Sequence, residues 1–210
     1  MNFKTFFLPL AFNLCSCILY AQEQLQQLFY ADSSLKAEGK LVDGKKHGTW
    51  IYYYPSGKKN SEENYKQGTL DGVVKNYDFD GKLIAVEQWK QGLEEDTALY
   101  YHPNGNLKRK GIFKQGLYTG LWKTYYENGT LKNTGSYTLG NPSGDWLFYY
   151  PNAKLEYTAR FENGVLDGVS SEYNERGILL RQGQYLQGRK HGHWKKFNKK
   201  GKVVGEEIYK

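Results

Sequence analysis

Residues Gly116–Leu139, GLYTGLWKTYYENGTLKNTGSYTL, decide the fold, because their landmarks return every 24 residues in both directions without insertion or deletion. Repetition at a fixed short period marks an array in which each unit is completed by its neighbours. Gly116 belongs to the column Gly44, Gly68, Gly92, Gly116, Gly140, Gly164, Gly188. Four residues on run Gly48, Gly72, Gly120, Gly144, Gly168 and Gly192, broken by Asp96, and a third column holds Gly57, Gly81, Gly105, Gly129, Gly177 and Gly201, with Ala153 as its exception. Gly39, Gly111, Gly135 and Gly183 form a fourth, so that of the 24 glycines only Gly205 lies off the lattice.

The bulky residues keep the same register. Tyr53, Tyr77, Tyr101, Tyr125, Tyr149, Tyr173 and Phe197 form one aromatic column; Tyr65, Trp89, Phe113, Tyr137, Phe161, Tyr185 and Tyr209 form another. Trp50, Trp122, Trp146 and Trp194 share a column with Val74, Ala98 and Ser170. Within the unit, Leu107–Lys114 alternates as a strand does, and a glycine two residues before Phe113 lets a neighbouring ring lie close over the backbone. Gln115–Thr119 reads as a short hairpin loop, Leu121–Glu127 as the return strand, and Asn128-Gly129 as the next turn. Trp122 and Tyr125, three apart, require either a bulge or rings on both faces. The expected fold is therefore all-β: an elongated, up-and-down meander of antiparallel hairpins, about fifteen strands in a sheet roughly 70 Å long, with no helix in the array.

Residues 1–21 differ from the rest. Lys4 precedes an apolar run from Phe6 to Tyr20, and Ala21 precedes Gln22-Glu23-Gln24, the pattern of a secretory signal peptide. Leu14-Cys15-Ser16-Cys17 is also similar to a lipobox, which would make Cys17 a lipidated N-terminus. Residues 22–27 read as a Gln-rich spacer, and residues 28–210 as a half-repeat followed by seven units. The expected location is exported: periplasm, outer membrane surface or secreted. With 39% hydrophobic and 16% aromatic residues, the core must come from Tyr, Trp and Phe. The net charge of +7 is concentrated at the C-terminal end in Arg189, Lys190, Lys195, Lys196, Lys199, Lys200 and Lys202, which read as a solvated terminal repeat or a surface for anionic lipid.

The pattern G-x-x-x-G-x-W-x-x-Y-Y-x-x-G-x-L, seen in Gly44–Lys59 and cleanly in Gly116–Leu131, resembles the MORN repeat, specifically its bacterial variant, over residues 28 to 210. The resemblance implies hairpin arrays acting as scaffolds or binding surfaces; some cytoplasmic relatives are labelled antitoxin components, and eukaryotic arrays have been linked to membranes.

Little in the chain points to catalysis. His47 and His191 are six units apart, His102 and His193 lie in other columns, and no nucleophile or phosphate-loop motif is present. Asp71, Glu95 and Asp167, spaced at least one hairpin apart, read as turn residues rather than a calcium site. No enzyme activity, metal, cofactor or nucleic-acid partner is expected. The expected function is a protein-binding or scaffolding surface in the cell envelope. The alternatives are binding of cell-wall glycan through an exposed strip of Trp50, Tyr54, Trp122, Tyr126, Trp146, Tyr150 and Trp194, attachment to phospholipid, or antitoxin-like binding of a toxin.

Overall fold

A computed structural model describes residues 23–210. The signal-peptide reading and Cys17 lie outside the described residues. Among these residues there is one 18-stranded sheet and no helix. The strands are β1 (Glu23–Phe29), β2 (Leu35–Val42), β3 (Lys45–Tyr53), β4 (Lys59–Lys66), β5 (Thr69–Leu70), β6 (Gly72–Tyr77), β7 (Leu83–Lys90), β8 (Leu93–Tyr101), β9 (Leu107–Lys114), β10 (Leu117–Tyr125), β11 (Leu131–Thr138), β12 (Asn141–Tyr149), β13 (Leu155–Glu162), β14 (Val165–Leu166), β15 (Gly168–Tyr173), β16 (Leu179–Leu186), β17 (Arg189–Phe197) and β18 (Val203–Tyr209). Each arm pairs antiparallel with the next in chain order, giving an open meander.

The strand count exceeds the expected fifteen for two reasons. β5/β6 and β14/β15 are single arms interrupted at Asp71 and Asp167. The residues expected to be a spacer, from Glu23 to Gln27, instead belong to β1, which pairs with β2 from Glu23↔Val42 to Leu28↔Ala37. The array therefore opens on a whole hairpin. That hairpin keeps the lattice with polar substitutes: Gln26 stands in the tryptophan column, and Ser33, at φ 67°, takes the place of a turn glycine.

Two kinds of turn alternate. In one, a two-residue loop such as Gln115-Gly116 has both residues at positive φ, 46–51° at the first and 74–86° at the glycine, which is a type I′ hairpin whose twist matches that of its strands. The expected loop Gln115–Thr119 is thus only two residues long, and Leu117 already opens β10. In the other, exemplified by Tyr126–Thr130, a three-residue turn closes on Gly129 at φ 84°.

Both rows of turns are laced to their neighbours. The turn glycine N–H donates to a carbonyl in the preceding unit, as in Gly116 to Glu94 (2.9 Å) and Gly140 to Tyr118 (3.0 Å). On the opposite edge, the hydroxyls of Tyr30, Tyr54, Tyr126 and Tyr150 each donate to the carbonyl 23 residues on, at 2.7–2.8 Å, and His102 Nε2 meets Tyr125 O at 3.0 Å. Asp71, Glu95 and Asp167 serve the next unit's turn as well, accepting from the amides of Gln91, Gln115 and Gln187. A bond of this kind contributes about 1 kcal/mol net, and its regular repetition ties each hairpin to the next.

The core is centred on one row of tryptophans, joined by buried residues such as Ala37, Ala85 and Phe113. Trp50, Trp122, Trp146 and Trp194 are buried, and each lies flat over the glycine eleven residues before it. A Cβ on Gly39, Gly111, Gly135 or Gly183 would fall 2.0 to 2.4 Å from the indole, closer than any packed contact. Each indole N–H donates to a carbonyl ten residues back, as in Trp146 to Ser136 O at 3.2 Å. Where the glycine is replaced, the tryptophan is too: Glu63 faces Val74, Glu87 faces Ala98 and Ala159 faces Ser170. Two of these three positions explain the interrupted strands. Without an indole, the carbonyls of Asn64 and Arg160 take the backbone N–H of Asp71 and Asp167, and Gly72 and Gly168 move to φ 121° and 117°.

Both solutions for Trp122 and Tyr125 occur. A register shift recurs at this place in every hairpin, here between Thr124 and Tyr125. Rings also occupy both faces: Tyr52 lies 6.4 Å from Trp50, whereas Tyr53 reaches Glu38, the cross-strand partner of Ile51.

Candidate binding groove

The strip of aromatics expected to meet a ligand is divided by the fold. Trp50, Trp122, Trp146 and Trp194 are between 1% and 7% exposed and form the core, so their indole faces offer no stacking platform to a sugar. This corrects the expectation for the tryptophans; the physical reason is the absence of a second layer, which leaves the largest rings as the only material for a core. Tyr54, Tyr126 and Tyr150 are half-buried, with their hydroxyls committed to the next turn. Tyr54 and Tyr150 each line a stretch of groove on the sheet surface.

That groove holds about 760 Å³ where Tyr54, Asn76, Ala85, Glu87, Tyr100 and Arg109 line it. Three units on, a corresponding stretch of about 410 Å³ is lined by Phe148, Tyr150, Tyr157 and Glu172. The wider stretch belongs to the part of the array where Val74 and Ala98 stand in the tryptophan column. Its residues come from different strands but the same rows of the lattice. Tyr100 donates to Glu87 Oε1 at 2.8 Å, and burial together with that carboxylate pushes its phenol well above the ordinary range. Beyond it, Phe113, Tyr118, Trp122 and Tyr137 pack edge to face and tilted, with centroids 4.5–6.3 Å apart. Arg109 closes this cluster, lying over Tyr118 and Trp122. Sequence reasoning passed over Arg109, whose column holds Ala37, Ser61, Ala85, Asn133, Tyr157 and Arg181; what marks it is the cross-strand neighbour, Tyr100 where Arg181 has Glu172.

The basic C-terminal residues do not gather into one patch. Lys190 lies 4.3 Å from the Trp194 ring centroid, and Lys196 pairs with Glu207. Arg189, Lys195, Lys199, Lys200 and Lys202 are exposed, the last three around the final turn. His193 meets Glu206, and His102 is spent on a turn. Among the described residues, no group of His, Cys, Asp and Glu has the arrangement of a metal site.

No curated protein matches this sequence. Among solved structures, S. aureus TarM in complex with fondaparinux, α-GlcNAc-glycerol and UDP is similar at 12% identity over 63% of this chain and 21% of that chain, with a TM-score of 0.27. The TcdB2-TccC3-Cdc42 structure is similar at 13% identity over 88% of this chain and 12% of that chain, with a TM-score of 0.25. The chain thus spans about a fifth or less of those proteins. The sequence profile described as the MORN repeat variant matches residues 46–67, 70–91, 97–115, 118–138 and 190–210, half of the chain. Between the last two matches, β12 to β16 continue the same hairpins on the same lattice. By the profile and by the 24-residue hairpin lattice, the chain belongs to the MORN repeat variant family.

Proposed function

We propose that the protein is a non-enzymatic, exported repeat protein whose groove-bearing sheet face binds a partner protein in the cell envelope. The observation that carries this reading is the groove itself. Each of its two stretches crosses neighbouring units, which recur at about 10 Å, two strand steps, and this suits an extended partner rather than a small molecule. Asp71, Glu95, His102 and Asp167 each hold a backbone group of the next unit. The N-terminal pattern before Glu23 supports export. The test is cross-linking in intact cells, with the partner identified from the envelope fraction. A specific cross-linked protein is expected, and cross-links confined to abundant bystanders contradict the reading.

A further inference from the structure

Arg109 and Arg181 occupy the same lattice position, 72 residues apart, and their surroundings differ in one decisive respect. Arg181 stands across the strand from Glu172 and pairs with it at 3.5 Å. Arg109 stands across from Tyr100 on one side and Thr124 on the other, and Tyr100 turns its hydroxyl to Glu87 instead. Among the described residues, no ion pair involves Arg109. Its nitrogens meet only the hydroxyls of Tyr118 and Tyr137, each at 3.4 Å, and its carbon lies 4.7 and 4.5 Å from the Tyr118 and Trp122 ring centroids. Stacking fixes the plane of the guanidinium while leaving donors of its fork for a carboxylate at the edge of the widest stretch of groove.

We infer that this stretch holds an extended acidic peptide of the partner protein, with an Asp or Glu carboxylate seated on Arg109 and a neighbouring apolar side chain against Ile84, Ala85 and the Tyr118 ring. The inference rests on the protein-binding reading above. Two features select a peptide over an acidic glycan. The flat indoles on which sugar rings would stack are buried. The groove lining is mixed in sign, with Asp78 and Glu87 beside Arg109 and Lys108, so a uniform polyanion meets carboxylates as well as cations, whereas a peptide can place one acid on Arg109 and a neutral or basic residue beside Glu87. At about 3.3 Å per residue, roughly three peptide residues span one unit.

The test is selection of displayed nonapeptides with a randomised central residue on the purified full-length protein, followed by fluorescence anisotropy of the selected sequences. Acidic residues are expected at the centre, with binding weakened at least tenfold by Arg109→Gln. Tyr100→Glu is the second variant: it rebuilds at Arg109 the pair that Glu172 makes with Arg181, keeps the guanidinium stacked, and is expected to weaken binding as much. Absence of acidic enrichment, equal binding by either variant in its folded form, or tighter binding of oligogalacturonate than of the selected peptides overturns the inference. Cross-linking in cells separates this from the broader reading. A protein captured equally by the wild type and Tyr100→Glu overturns the acidic-peptide site alone, and the lack of any specific capture overturns protein binding as well.

Discussion

At the scale of the residue, the array depends on a reciprocal rule: glycine in one strand where tryptophan lies over it from the next. Gly135→Ala puts a methyl group 2.0 Å from the Trp146 ring and is expected to cost about 3 kcal/mol, while Trp146→Ser costs about 4 kcal/mol through lost burial. The two together copy the native Ala159 and Ser170 combination. In the Trp146→Ser background, Gly135→Ala should therefore cost less than about 1 kcal/mol, a coupling that chemical denaturation of the four proteins measures directly. Leu139 makes a second case. It is 76% exposed at φ 48° in a type I′ turn whose counterparts are Asp43, Asn163 and glutamines. Leu139→Asn keeps the turn, relieves left-handed strain and should stabilise the protein by about 0.5 to 1 kcal/mol in the same assay.

At the scale of the element, each hairpin is held by its two turns and by cross-strand side chains, and the last one carries a pH-sensitive pair. Lys196 and the Tyr209 hydroxyl hold Glu207 well below the ordinary carboxylate range, at about 2. A lowered value means that folding favours the charged form, so the contribution is complete above pH 4.5, the ordinary value, and is lost as pH falls from there towards 2. Because the pair lies at the surface, with both side chains partly exposed, added salt weakens the effect. Amide exchange in β17 and β18 should accelerate over that window before the central hairpins respond, and Glu207→Gln should abolish the difference. Tyr150→Phe, which removes the bond to Tyr173 O, should cost about 1 kcal/mol and speed amide exchange most at the adjoining turn. Hairpins and turns of this kind were legible in the sequence because period 24, strand alternation and turn glycines are local signals. The interruptions at Asp71 and Asp167 were not, because they arise from a carbonyl one strand away, Asn64 or Arg160, that an indole missing from the same arm leaves free to take a backbone N–H. The groove was legible only in part: the aromatic columns are plain in the sequence, but which rings are buried depends on side-chain packing across strands, and Arg109 stands out only when its cross-strand neighbour is compared with that of Arg181.

At the scale of the whole molecule, contacts join neighbours only, so the sheet grows by addition and its length follows from counting arms. The eighteen strands make sixteen arms once the two interrupted arms are each counted as one. At about 4.8 Å per step, the sheet extends about 70 Å. A compact domain of the same size would have a radius of gyration of about 16 Å. Small-angle X-ray scattering of the monomeric protein tests the open array most directly. The account predicts a radius of gyration above about 20 Å and a maximum dimension of about 70 Å or more; a value near 16 Å with a spherical distance distribution would contradict it.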